Sequence, residues 1–443
     1  MNRARLAALL ILIVGACATI AVVPLVMRLV GDPVTGPGGL DGEGGTIAWT
    51  VDTANGSRDA WVFGDTAVVL DGTSLLGLRR GDGGRVWQLP YPAEDTALTV
   101  AGGVAVVQAG TDGPVDVIDP ASGRTLWSAA GPVRMVARAD ALYLDSCPDR
   151  RDTPADCVLT KRRVADGATL WTMDATHVSV HENVIGARRP LAPPASAYLP
   201  VSVSEPGVRA ALLDTTTGTV LPGRAEQRAW YTFAAGDTLV VTDHDPPRGD
   251  RDCTVTVTAV HARTGAAAWD GAIHSGRTAG GECTRSFPRI YSGSSELFGV
   301  GNEVAAVTRS GQATLVDVTT GETRWTTPEQ GVPIAGDDES LLVRANAETG
   351  PIALLALADG RRLWSAPDTG LATTSASWEA VAHGDLVAVL GATGDRPYVL
   401  VYDARTGRQL ARRGGWLTGV GEGWVMVSTG AGAGRLRLHM LTF

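Results

Sequence analysis

Lysine is almost missing from this chain: Lys161 is the single lysine among 38 basic residues, and the rest are arginines. Acidic residues outnumber basic ones 47 to 38, which gives a formal net charge of −9. That balance excludes general nucleic-acid binding, which needs a basic surface to displace counterions. No Gly-Lys-Ser phosphate loop, no Gly-x-Ser-x-Gly elbow and no zinc-protease helix occurs, so those nucleotide, acyl-transfer and protease signatures are absent. The five cysteines include no Cys-x-x-Cys spacing, which removes the usual zinc pattern. From Thr46 onward no segment carries a helical apolar period, so an all-β body is expected. Aromatic residues make up only 5% of the chain, yet 12 of them are tryptophans, and half of those recur in one phrase.

The phrase is a polar turn, a glycine, and a tryptophan four residues later. It reads DPASGRTLW at Asp119–Trp127, DVTTGETRW at Asp317–Trp325, HARTGAAAW at His261–Trp269 and ALADGRRLW at Ala356–Trp364. RRGDGGRVW at Arg79–Trp87 and RVADGATLW at Arg163–Trp171 keep the glycine and the tryptophan, whereas the turns at Gly218 and Gly407 have lost the tryptophan. The glycines at 83, 123, 167, 218, 265, 321, 360 and 407 lie 39 to 56 residues apart. A period of that length, with about four short β-rich runs per unit, specifies a β-propeller of antiparallel meanders. In four units an aspartate, Asp119, Asp214, Asp317 or Asp403, can accept turn N–H bonds, and the glycine supplies a positive φ. Trp49, Trp87, Trp127, Trp171, Trp269, Trp325 and Trp364 then fall on outer strands, where a large ring can pack against the neighbouring blade.

This repeat resembles that of the pyrroloquinoline-quinone-like (PQQ-like) propeller family, whose usual form is an aliphatic strand followed by Asp-x-x-Thr-Gly-x-x-x-Trp. The resemblance covers the chain after residue 45. It implies a propeller that could serve as a quinoprotein dehydrogenase, as the lipoprotein of the outer-membrane protein assembly machine, or as a non-catalytic membrane-tethered protein. Quinoprotein enzymes of the family hold the quinone with calcium on the propeller axis, many of them under a disulfide between adjacent cysteines. No two cysteines are adjacent here, and no long insertion builds a cap. No catalytic, cofactor-binding or metal residue is therefore assigned. A small-ligand or quinone-binding oxidoreductase using the central channel stands as the alternative.

The ends of the body complement each other. The chain finishes on a strand, Arg435–Phe443, with no tryptophan strand after it, and the body starts with an orphan tryptophan strand, Gly44–Val51. The two are expected to share one sheet and to remove an exposed edge. Eight repeat glycines and this closing unit would make nine blades, but propellers usually have four to eight. Because His177–Leu221 is degenerate, eight four-stranded blades are expected.

Residues Leu6–Val30 form an apolar run broken only by Pro24 and Arg28, with Arg3 and Arg5 before it and Asp32 after it. About 20 apolar residues span a bilayer core, and positive charge before the span keeps the N-terminus inside. The expected organisation is a cytoplasmic stub (1–5), a transmembrane anchor helix (6–30), a Gly/Pro spacer (31–44) and an extracytoplasmic propeller (45–443). A cleaved signal peptide and a lipidated Cys17 are the rivals to the anchor. In an exported chain, Cys147, Cys157, Cys253 and Cys283 favour disulfides over a metal site, with three possible connectivities. Cys147 and Cys157 bracket one loop and form the expected first pair, which leaves Cys253 with Cys283.

Four stretches exceed ordinary turn length: 146–156, 188–207, 244–252 and 270–294. Read as connections on one face of the ring, they carry Arg150, Arg151, Arg188, Arg189, Arg248, Arg251, Arg277, Arg285 and Arg289. Stapled loops on a rigid scaffold are common recognition surfaces, and arginine is favoured as an interface anchor. The expected role is non-catalytic binding of a protein or envelope component. His177 and His181, four apart, read as rim residues rather than metal ligands, and the acidic stretch Asp243–Cys253 reads as a solvated loop.

Overall fold

The computed structural model describes residues 42–443 apart from 55–59, 72–73, 92–95, 111–112, 132, 147–156, 181–196, 206, 208, 226–230, 244–253, 275–298, 301, 309, 346–349, 368–379, 394–395 and 433–434. These residues form antiparallel four-stranded blades, each a simple meander. In chain order, blade 1 spans 60–90, blade 2 97–129, blade 3 133–174, blade 4 178–225 and blade 5 231–274. Blade 6 spans 299–330, blade 7 332–366, blade 8 380–414, and blade 9 joins 416–442 to strand Thr46–Ala54. Blades 5 and 6 also share a single pairing, His274 with Val307.

The count is therefore nine, not the expected eight. The stretch His177–Leu221 does build a full blade, with strands Val178–Val180, Tyr198–Val203, Arg209–Asp214 and Thr219–Val220. Its second strand contains Pro200, a residue that weakens a sheet assignment because it cannot donate to the ladder. The ninth repeat glycine is Gly45, at φ +65°, four residues before Trp49.

Strand composition follows position in the blade. Second and third strands are buried on both faces, as in Ala141–Ser146 and Gln312–Asp317, and are rich in aliphatic residues. Outer strands such as Arg85–Pro90 alternate with solvent. The core is a series of seams between facing sheets. Val68 and Leu75 of blade 1 pack with Leu98, Ala105 and Val107 of blade 2, for example. Each fully buried Leu or Val contributes about 1.5–3 kcal/mol relative to exposure.

Blade 9 closes the ring from both ends of the body. Thr46–Ala54 pairs antiparallel with Arg435–Thr442, from Thr46↔Thr442 to Ala54↔Arg435. Arg437 Nε lies 2.7 Å from Asp52 Oδ1 across this pairing. His439 is buried between two threonines, with Nδ1 2.9 Å from Thr50 Oγ1 and Nε2 3.0 Å from Thr429 Oγ1. Burial, reinforced by the charges of Arg437 and Arg413 and opposed by Asp52, pushes the His439 imidazole down to about 4. It is held neutral, bridging the closing strand to its neighbours.

A second strap precedes this one. Gly42–Gly44, placed by the sequence in the spacer, pairs with the outer strand of blade 8, Gln409–Gly414, as a fifth strand. Arg413 holds it, donating to Gly42 O at 2.9 Å and to Gly44 O at 2.6 Å. Among the described residues no helix is long and apolar enough to cross a membrane, and the expected anchor 6–30 lies outside them.

A chain starting at residue 55 should unfold at a much lower urea midpoint than one starting at residue 42. Losing buried Trp49 alone costs about 3–5 kcal/mol. An unchanged midpoint would contradict closure through the N-terminal strand. His439 gives a pH signature. Its native pKa lies below the ordinary 6.5, so the unfolded chain binds the extra proton as pH falls from 6.5 to about 4. The stabilisation is complete above pH 6.5 and is lost through that window, by roughly 3 kcal/mol in full. Urea titrations at pH 7 and 4.5 should show a smaller acid loss in His439→Gln than in the parent. Equal losses would refute the assignment.

Candidate interaction face and the seams that support it

Four of the repeated turns share one aspartate contact. The aspartate Oδ1 accepts the N–H two residues on, at 2.8 Å for Asp119, 2.8 Å for Asp214, 2.9 Å for Asp317 and 3.0 Å for Asp403. The glycine N–H closes onto the carbonyl four residues back, as Gly123 N to Asp119 O at 2.8 Å. At Asp317 burial opposes ionisation, but the Thr319 hydroxyl and N–H, the Thr320 N–H and Arg324 outweigh it and hold the carboxyl below its usual range. The Thr406 N–H does the same for Asp403 against slight burial.

The glycine serves the preceding blade as well as its own turn. A Cβ on Gly123 would stand 2.6 Å from the Trp87 ring, and one on Gly167 2.7 Å from Trp127. The same holds for Gly83 under Trp49, Gly218 under Trp171, Gly321 under Trp269, Gly360 under Trp325 and Gly407 under Trp364. Each indole Nε1 then donates to the carbonyl three residues before that glycine. The acceptors are Arg80 for Trp49 (2.7 Å), Pro120 for Trp87 (2.8 Å), Val164 for Trp127 (2.7 Å) and Thr215 for Trp171 (2.9 Å). They continue with Val318 for Trp269 (2.6 Å), Leu357 for Trp325 (2.7 Å) and Ala404 for Trp364 (2.7 Å). A register shift just before each tryptophan, as between Thr125 and Trp127, turns the ring toward the next blade.

Two seams lack the indole. In blade 4 the tryptophan position holds Pro222, and Gly265 of blade 5 meets the Gly223 carbonyl instead. Arg263 reaches back from blade 5 to Tyr198 Oη at 2.6 Å. In blade 8 the position holds Ala411, and the Phe443 ring covers Gly45, its Cε1 2.9 Å from where a Cβ would be. Aromatic cover is restored there from another part of the chain.

All nine arginines of the expected interaction face lie outside the described residues, as do Cys147, Cys253 and Cys283. Cys157 is buried beside Tyr143 and Leu159. The flanking strands show where each connection departs. Ser146 to Val158 and Asp243 to Thr254 are second-to-third connections, and His274 to Gly299 is an outer-to-inner one. These three leave from one face. The stretch with Arg188 and Arg189 joins Val180 to Tyr198, a first-to-second connection, and so departs from the opposite face. The expected single face is corrected on this point, because Tyr198–Val203 is a strand inside the stretch read as a loop.

A family model described as outer membrane protein assembly factor BamB matches residues 38–269 and 253–415. The chain belongs to this BamB-like PQQ-repeat family. It is similar to BamB from Moraxella catarrhalis, at 14% identity and TM-score 0.42 over 90% of this chain and 99% of that one. It is similar to a eukaryotic initiation factor at 10% identity and TM-score 0.48, over 86% and 91%. It also resembles a europium-containing methanol dehydrogenase at 12% identity and TM-score 0.38, over 90% and 93%. At such identities and scores these likenesses bear on no functional question. No curated protein matches the sequence.

A quinone–calcium centre of the PQQ-repeat kind would need converging oxygen donors. Among the described residues, no three His, Cys, Asp or Glu side chains come together. The polar contacts that sequence reasoning missed in this BamB-like ring are seam contacts. Tyr91 and Ser128 both donate to Asp116, and burial, then Asp116, raises the Tyr91 phenol. The single lysine, Lys161, donates to Thr215 O at 3.0 Å, the carbonyl that also takes Trp171. His177 faces Glu205 at 3.5 Å, and His181 lies outside the described residues.

Two glycine substitutions separate the roles of the repeat glycine. Gly64 has φ +55° with nothing near its missing Cβ, so Gly64→Ala should cost only the left-handed backbone term, about 1–2 kcal/mol. Gly123→Ala adds collision with Trp87 and should cost about 1–3 kcal/mol more. Equal losses in urea unfolding would mean that the indole does not seat on this turn in solution.

Proposed function

We propose that this protein is a membrane-tethered, extracytoplasmic propeller that binds another protein or an envelope component without catalysis. The supporting observation is that the described polar machinery is committed to holding the ring. The titratable groups moved farthest from their ordinary values, Tyr91, Tyr143, Tyr402 and His439, all lie in seams or at the closure. The binding surface in this reading is the face from which the connections bearing Arg150, Arg151, Arg248, Arg251, Arg277, Arg285 and Arg289 depart. In this reading the pairs Cys147–Cys157 and Cys253–Cys283 staple it, and the disulfide-bonded state of Cys157 supports a staple at that connection. The apolar run 6–30, preceded by Arg3 and Arg5, supports a single-pass anchor with the propeller outside.

Crosslinked pull-down from membranes tests this reading. Replacing Arg150, Arg151, Arg248 and Arg251 with Ala should weaken partner capture at least tenfold, since each charge-assisted bond contributes about 1.5–3 kcal/mol. Thermal stability should not change, because solvated loop charges contribute little to folding. Arg188→Ala with Arg189→Ala should behave like Arg124→Ala with Arg408→Ala, the control beside the glycine turns. Arg324 is unsuitable as a control because it pairs with Glu303 at 3.0 Å and Asp317 at 3.2 Å. Loss from the control set alone would place the site on the other face. Dye-linked oxidation of alcohols or sugars after quinone and calcium reconstitution would favour the oxidoreductase alternative.

A further inference from the structure

The outer strand of blade 6, Thr323–Gln330, runs three residues longer than Thr125–Ala129 or Arg362–Ala366. Its register steps from Thr314↔Thr326 to Gln312↔Gln330, so Thr327, Pro328 and Glu329 stand opposite one residue, Ala313. The bulge is pinned rather than loose. Thr327 Oγ1 donates to Glu329 O at 2.7 Å, and Gln312 Nε2 donates to Thr327 O at 2.8 Å. Beside it, at the seam with blade 7, lies a groove of about 320 Å³. That volume is at the lower end of the roughly 300–1,000 Å³ typical of small-molecule sites. Val343, Ile352 and Leu355 give the groove an aliphatic floor, while Glu329, Arg361 and Arg362 stand at its edge.

We propose that this groove binds a small aliphatic carboxylate, its chain on the apolar floor and its head group at Arg361 and Arg362. The chain's own carboxylate already marks the position: Glu329 Oε2 accepts from Arg362 Nη1 at 2.7 Å, bridging the two blades. Both side chains of that pair are more than half exposed, so it holds the fold weakly and can yield to an incoming carboxylate. Arg361 lies 3.9 Å from Asp359, a distance that leaves its fork available to a second oxygen. Among the described residues no aromatic ring lines the groove, and its aliphatic walls match a flexible alkyl chain. The same chemistry is presented by a free aliphatic acid and by a protein C-terminus ending in an aliphatic residue. The proposal is independent of the arginine-rich connections on blades 3 and 5.

Calorimetric titration of the full chain with octanoate, octanol and the dipeptide acetyl-Val-Leu tests it. Octanoate or the dipeptide should bind one to one, and octanol at least tenfold more weakly. Tighter octanoate identifies a free acid as the source, and a tighter dipeptide identifies a protein terminus. Arg362→Gln should weaken the better carboxylate about tenfold. Glu329→Gln should tighten it several-fold by removing the internal competitor. Ser365→Trp, at an exposed position lining the groove, should abolish binding without changing the melting curve. Octanol binding as tightly as octanoate, no binding of either carboxylate at millimolar concentration, or indifference to Arg362→Gln would overturn the proposal.

Discussion

An indole lying flat on a glycine of the next blade is the contact on which the ring depends. Two demands meet at that glycine. The hairpin needs a positive φ, and the neighbouring ring needs a backbone with no Cβ above it. One residue meets both, which explains why so short a phrase can specify a repeat of about forty residues. The indole N–H fixes the ring's orientation by reaching the carbonyl three residues earlier, so turn and ring cannot slide independently. Each blade's turn is therefore seated by the blade before it, and the order of blades in space follows their order in the chain.

That dependence makes the last seam a problem, because blade 9 has no hairpin between its third and outer strands. The solution draws on three separate segments. Thr46–Ala54 supplies the missing outer strand with Trp49, Phe443 covers Gly45, and Gly42–Gly44 crosses onto blade 8 under Arg413. His439 sits in the middle of this assembly as a neutral bridge between two hydroxyls. A neutral imidazole suits the position because a charged one would be buried beside Arg437 and Arg413.

Much of this was legible in the sequence, because glycine–tryptophan spacing and the turn aspartate are local chemistry. Gly45 was legible too: Gly45 and Trp49 keep the four-residue spacing, and they supply the ninth blade once the pair is read as a repeat whose turn is interrupted. What the sequence obscured came from competing signals. The proline-rich run before Tyr198 and Pro200 itself disguised a strand, and hiding that strand moved Arg188 and Arg189 to the wrong face. The second role of the glycines was not legible, since a positive-φ turn accounts for them fully until a neighbour's ring is placed above. Lys161 meets Thr215 and Asp116 meets Tyr91 across seams between consecutive blades, a relation no local pattern encodes.

The ring departs from its repeat at three seams, and the departures differ in kind. Pro222 and Ala411 remove an indole, and in each case other groups fill the space: the Gly223 carbonyl and Arg263 at one seam, Phe443 at the other. In blade 6 the tryptophan is kept, with Trp325 seated on Gly360, and residues are added after it. Adding length beyond an intact anchor leaves the seam locked at the indole while holding the strand apart farther along. Removing an anchor weakens a seam and calls for repair, whereas lengthening a strand past one opens space at little cost to the ring. A groove at the blade 6–blade 7 seam is where such a scaffold can carry a pocket without loosening its closure.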